Sequence, residues 1–86
     1  MSPYIKQEHR KALDLLLKEF NSYTIASYGE MNYVITKILL DCLPCASYQD
    51  YQAIIGLLEC VKQEFYRKRV AHFEDEKCKL NGEVYE

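Results

Sequence analysis

Cys42-Leu43-Pro44-Cys45 carries the most recognisable chemical spacing in the chain. Two thiols two residues apart can cycle as a redox pair or supply half of a zinc knuckle. The redox use wants the first thiol at the start of a helix, where the positive end of the helix dipole lowers its pKa. Here the pair stands at the end of a helical pattern, so that activation is missing. Cys60 and Cys78 have seventeen residues between them and make no second Cys-x-x-Cys, and Cys60 lies inside a helical apolar run. The four cysteines are read as free thiols, and no metal ligand is assigned.

A hydrolytic site has as little to stand on. There are two histidines: His9 falls on the apolar side of a helical pattern, and His72 lies in a charged segment beside Phe73. Neither is four residues from another ligand-type histidine, and the chain has no glycine-rich phosphate loop and no His-Glu-x-x-His. Glu59 and Glu64, and the run Glu74 to Glu76, read as a solvated helix face, with Glu64 and Lys68 at a stabilising spacing of four. The expectation is a protein that is not an enzyme, with no catalytic residue and no cofactor. A small enzyme without a recognisable motif is the residual alternative.

The aromatic content offers more. Eight tyrosines and no tryptophan place rings beside charge at Tyr4, Tyr28, Tyr33, Tyr48, Tyr51, Tyr66 and Tyr85. Tyrosine brings a broad apolar face with a polar tip, which suits partner surfaces and stacking on a flat ligand. The plainer reading has Tyr33 and Tyr51 rimming a small core. The sharper one joins Tyr66, Arg67 and Arg69 to Asn32 and Tyr33 as a site for an anionic or planar ligand, because arginine forks phosphate and carboxylate oxygens.

Three helical patterns, at about 6–20, 28–42 and 48–80, must position these residues. In the first, Ile5, His9, Leu13, Leu16, Leu17 and Phe20 share a face. Ser2 with Pro3 could open it earlier. Ser27-Tyr28-Gly29-Glu30 is a capping box, in which the serine oxygen accepts from the Glu30 amide and the glutamate returns to the serine amide. Behind it Met31, Val34, Ile35, Ile38, Leu39 and Cys42 repeat at three and four until Pro44 stops the pattern.

Ser47-Tyr48-Gln49-Asp50 repeats the cap, and Tyr51, Ile54, Ile55, Leu58, Val61 or Lys62, and Phe65 are the expected buried positions of the third helix. Gly56 interrupts this run at a cost of ~1 kcal/mol relative to alanine. Close approach of another helix, the second for preference, would explain it; a tolerant exposed face is the alternative. Asn81-Gly82 reads as a helix end with glycine in the left-handed region.

That third helix is too long for a chain of 86 residues to cover alone. At ~1.5 Å per residue it spans roughly 50 Å, against a diameter of about 30 Å for a compact domain of this size. Either it breaks near His72 and Phe73, or Phe65, Val70 and Phe73 form an interface with a second copy. Self-association as a homo-oligomer is the expectation, since a core this small barely offsets the ordering entropy of its own chain.

Charge excludes little and settles one matter. Residues 1–20 carry +1, 21–47 carry −1 and 48–86 carry −2, so no region has the basic footprint of a nucleic-acid binder. A nucleic-acid accessory role through Lys62 and Arg67-Lys68-Arg69 is kept as an alternative. The N-terminal residues lack a signal-peptide pattern, and the longest uncharged run, Phe20 to Gly29, is ten residues and half polar, too short to span a membrane. A cytoplasmic protein with no membrane partner is expected.

Pro3-Tyr4-Ile5, Gly29-Glu30-Met31-Asn32-Tyr33, Glu64-Phe65-Tyr66-Arg67-Lys68, Glu74-Asp75 and Asn81-Gly82-Glu83-Val84-Tyr85 together resemble the boxes of a family of short uncharacterised proteins from bacteriophages and bacteria. The likeness covers nearly the whole chain. Met31 stands in a leucine place and Lys68 replaces a second arginine; His72-Phe73 precede Glu74-Asp75 where the family has Pro-Tyr, which removes a helix break and one hydroxyl. Cys42 and Cys45 lie outside the shared pattern. The resemblance brings no activity, but it implies a phage or mobile-element setting, with host cytoplasm as the location. The expectation is an all-α domain over 1–86, three helices with the first two packed on the first half of a long third, acting as a phage-type binding protein. It would capture a host protein or a small anionic, nucleotide-like ligand stoichiometrically, in a counter-defence role.

Overall fold

Three helices form, and the third runs far past the other two. In the computed structural model, which describes residues 1–85, α1 is Gln7–Asn21 and α2 is Tyr28–Cys42; α3 covers 48–81 in three consecutive stretches, α-helical Tyr48–Phe65, π-helical Tyr66–Val70 and α-helical Ala71–Asn81. The helix does not break at His72. Glu86, the far bound of the expected domain, lies outside the described residues.

Local chemistry sets the helix ends. Ser47 Oγ accepts from the Asp50 amide at 3.1 Å while Asp50 Oδ2 accepts from the amides of Ala46 and Ser47 at 3.1 and 3.2 Å, a complete capping box. Those amide donors hold the Asp50 carboxyl below the usual carboxylate range, the Ala46 amide foremost. At α2 the serine half holds, Ser27 Oγ accepting from the Glu30 amide at 3.1 Å, but Glu30 Oε1 accepts from the Ala26 amide and not from Ser27. The glutamate thus caps one residue further out than the box predicts. At α1 Ser2 does not open the helix: its Oγ accepts from the Tyr4 amide at 3.1 Å, making a turn, and α1 starts beyond Lys6 without a side-chain cap. Arg10 Nε donates to the Ile5 carbonyl at 2.9 Å and ties that turn to the helix. Gly82, at φ +98°, ends α3 in a region L side chains rarely adopt, its amide donating to the Cys78 carbonyl at 2.8 Å.

These helices do not close on a core among the described residues. No described residue is buried. The radius of gyration is 17.0 Å and the longest dimension 47 Å, where a compact chain of this length has a radius near ~12 Å. The accessible surface is 8179 Å²; compact monomers of this mass expose roughly 5,300 Å². About 2,900 Å² of surface that a finished monomer would bury is therefore open.

The expected packing of α1 and α2 on the first half of α3 is corrected by this arrangement. On α1, Leu13, Leu16 and Leu17 are 46, 70 and 51% exposed. The positions expected to be buried in α3 fare no better, since Tyr51, Ile55, Val61 and Phe65 are all exposed and only Ile54 is half-buried. What α2 and α3 share is a corner, where Leu39, Cys45 and Ile54 flank a small cleft. The physical reason lies in the connection: Leu43 is held extended ahead of Pro44, so the five residues Leu43 to Ser47 splay α2 from α3 and the two meet at that corner.

Gly56 has a different neighbour from the one expected. A Cβ built on it would meet Met1 Cε at 3.2 Å, so the N-terminal segment, and not α2, lies against this point of α3. The methionine tip is flexible and can yield. Gly56→Ala should accordingly raise stability by up to ~1 kcal/mol through helix propensity, read as a higher midpoint in urea; a lower midpoint would mean that the methyl displaces the whole segment.

Candidate binding surfaces

The N-terminal segment is fastened across α3 by one side-chain cluster. Tyr4 donates its hydroxyl to Glu64 Oε1 at 2.6 Å, and Arg67 Nη2 donates to the same oxygen at 2.8 Å, joining residues sixty positions apart. Glu64 is half-buried there, at 26% side-chain exposure. The tyrosine hydroxyl, then the guanidinium, hold its carboxyl below the usual glutamate range, and the carboxylate in turn raises the Tyr4 phenol. The expected pairing of Glu64 with Lys68 is replaced by this triad.

A lowered folded pKa means the Glu64 contribution is complete above the ordinary glutamate value, about 4.3, and is lost as pH falls through the depressed folded value. The raised Tyr4 phenol works the other way: its share is present below the ordinary tyrosine value and is lost as pH rises through the raised one. The segment should stay docked across the neutral range. An NMR titration of the Glu64 side-chain carbon should give a midpoint below that of a free glutamate, moving up toward it in Tyr4→Phe. An unmoved midpoint would mean that the hydroxyl does not hold the carboxylate.

The segment leaves a cleft on each side. One, of about 430 Å³, has an apolar floor of Pro3, Leu57, Val61 and Phe65 with Lys68 and Arg69 at its edge. The other, of about 300 Å³, is bounded by Ser2, Cys60, Gln63 and Arg67. Among the described residues Lys68 and Arg69 have no carboxylate within ion-pair distance, whereas Arg67 is held by Glu64.

Both arginines belong to the π-helical turn Tyr66–Val70, where the Ala71 amide donates to the Tyr66 carbonyl five residues back. Single π turns inside α-helices occur frequently at functional sites. Tyr66 points its hydroxyl at Glu74 Oε1, 2.7 Å away, and that carboxylate raises its phenol. Phe65 and Phe73 are 63 and 64% exposed and Val70 is half-buried, with Lys77 Nζ 5.6 Å from the Phe73 ring centroid.

Asn32 and Tyr33 line a different place. They flank a shallow depression on α2 with Tyr28, Gly29 and Thr36, where Thr36 Oγ1 donates to Asn32 Oδ1 at 3.0 Å. Within one chain, then, the clefts beside the π turn are bounded by α3 and the N-terminal segment, and the α2 pair stands apart. The Tyr4 to Glu64 contact escaped the reading of periodicity because nothing local marks a pair so distant in sequence.

The thiols are free: Cys42 ends α2, Cys45 follows in the connection, and Cys78 Sγ donates to Glu83 Oε2 at 2.9 Å, which raises that thiol. Among the described residues no group of three or more histidine, cysteine or acidic side chains is placed to hold a metal, and no helix is long and apolar enough to cross a membrane.

Comparison with curated proteins and with solved structures finds no match. Residues 1–84 do match one family model, a domain of unknown function, DUF6899, and the chain belongs to that family.

Proposed function

We propose that this is a non-catalytic binding protein that works by stoichiometric capture, and that what it captures is a protein docking on the apolar face of α1. The observation that carries this reading is the state of that helix: Leu13, Leu16 and Leu17 form an amphipathic stripe at 46 to 70% exposure that the described residues leave uncovered. Contiguous apolar surface of this kind marks interaction sites, and a helix face with anchors at three- and four-residue spacing is a common way to present them. The phage or bacterial setting implied by the resemblance makes the captured protein a host protein, and the role one of counter-defence.

Isolation of the tagged full chain from a bacterial host tests it. A single host protein retained in fixed proportion to the chain, and unaffected by added phosphate, is the expected result; recovery of the chain alone over a range of salt would count against capture of a host protein.

A second reading rests on Lys68 and Arg69. An apolar floor with two cations at its edge that are unpaired among the described residues suits a small anionic, nucleotide-like ligand, with the flat part over Pro3 and Phe65 and the phosphate at the cations. Thermal stabilisation by nucleoside phosphates and not by nucleosides would favour it. A nucleic acid suits the surface less well, because Glu74-Asp75-Glu76 follow the basic run after only four residues; a steep loss of binding with salt would be required.

A further inference from the structure

We infer that the C-terminal half of α3 pairs antiparallel with the same segment of a second copy, about a two-fold axis level with Ala71 and His72. The charge pattern selects both the partner and the direction. Arg67, Lys68 and Arg69 precede that level at the same spacings at which Glu76, Asp75 and Glu74 follow it. Antiparallel copies set each cation of one chain at the height of a carboxylate of the other, while a parallel pair in register would stack basic on basic. The same axis brings Val70 to the height of the second copy's Phe73, and Phe65 to that of its Cys78.

The π turn gives this pairing a continuous face. In an unbroken α-helix, eight residues turn the side-chain direction by about 80°. The Tyr66 hydroxyl nonetheless reaches Glu74, eight residues on, at 2.7 Å. The extra residue held in Tyr66–Val70 takes up the difference, and it aligns Phe65 with Phe73 in the same way. Two aromatic side chains, more than 60% exposed, thus stand on one line along a helix that joins no core among the described residues.

Area favours a second copy as the occupant. A standard stable interface buries about 800 Å² per partner, under a third of the roughly 2,900 Å² that this chain leaves open beyond a compact monomer. A two-fold contact must be complementary to itself, and this segment is. The remainder leaves α1 available, so the inference stands apart from what α1 captures. It assigns Lys68 and Arg69 to the second copy's carboxylates and thereby competes with the anion reading.

Sedimentation equilibrium of the full chain, alone and with two charge-reversed variants, tests it. The parent should have twice the 10.2 kDa mass of the chain. K68E/R69E and E74K/D75K should each self-associate at least tenfold more weakly, and an equal mixture of the two should recover a heterodimer. A monomeric parent overturns the inference, whether it is bare, bound to a phosphate compound or bound to another protein; so do variants as dimeric as the parent, or a mixture that stays monomeric. Should the variants fail to fold, a sample of the unaltered chain mixed from labelled and unlabelled copies decides: Val70 to Phe73 contacts between copies support the pairing, and their absence overturns it. A dimer of this kind that retains no host protein would overturn the capture reading alone.

Discussion

Leu16→Asp should leave the isolated chain nearly as stable as the parent and weaken capture at least 100-fold. Its side chain is 70% exposed, so the change costs the fold only the difference in helix propensity, about 0.5 kcal/mol. In a docked complex the same leucine would be covered. Losing its burial removes about 2 kcal/mol, and a carboxylate forced into an apolar contact adds a desolvation penalty. The sum exceeds the ~2.7 kcal/mol that corresponds to a hundredfold in affinity. Urea denaturation and quantitative co-purification, measured on the same preparation, check the two halves. Equal capture by the variant would remove the α1 face from the binding surface, and a large loss of stability would mean that Leu16 is buried in the free protein after all.

Val70→Pro should have the largest effect on the chain itself. Proline at that position removes the Val70 amide from the π turn and drives its ring into the preceding turn, a cost of about 3 kcal/mol, out of a total of roughly 4 to 13 kcal/mol expected for a chain this long. The stretch beyond it, Ala71–Asn81, is eleven residues. Isolated helices shorter than ~12–15 residues are marginal in water, so this stretch should fray once it is cut off. Far-UV circular dichroism should lose helical signal, and the hydrogen bond from Tyr66 to Glu74 should go with it. If the antiparallel pairing holds, the mass should fall to that of one chain. An undiminished helical signal would show that the π turn already acts as a hinge and that the two halves of α3 stand independently.

The pattern of charges and apolar residues carried much of this structure on its own. Ser27 and Ser47 mark the starts of α2 and α3 because a serine oxygen satisfies an amide that the first helical turn leaves free, and that is a local event. Pro44 and Gly82 act locally too, through backbone angles. The long reach of α3 was readable for the same reason. A resemblance to a family of uncharacterised proteins was read from residues spread over the chain, and the match over residues 1–84 agrees with it at the level of a domain of unknown function.

The candidate site was less legible. Tyr66, Arg67 and Arg69 do flank clefts or turns on α3, but the Glu64 that holds Arg67 takes its other partner from Tyr4, and a contact across sixty residues leaves no periodic trace. The π turn is equally silent in the sequence, since Tyr66 to Val70 has an ordinary helical composition and the extra residue per turn depends on what the neighbouring turns can hold.

The sequence by itself determined which segments are helical, where they begin and end, and which side of each is apolar, because caps, proline and side-chain spacing act within a few residues. Only the tertiary structure decided that these apolar sides find no core among the described residues of one chain, that Met1 and not α2 meets Gly56, and that Tyr4 fastens the N-terminal segment to Glu64. Those outcomes turn on how short connections aim long helices in space, a property of the whole chain that no local pattern encodes.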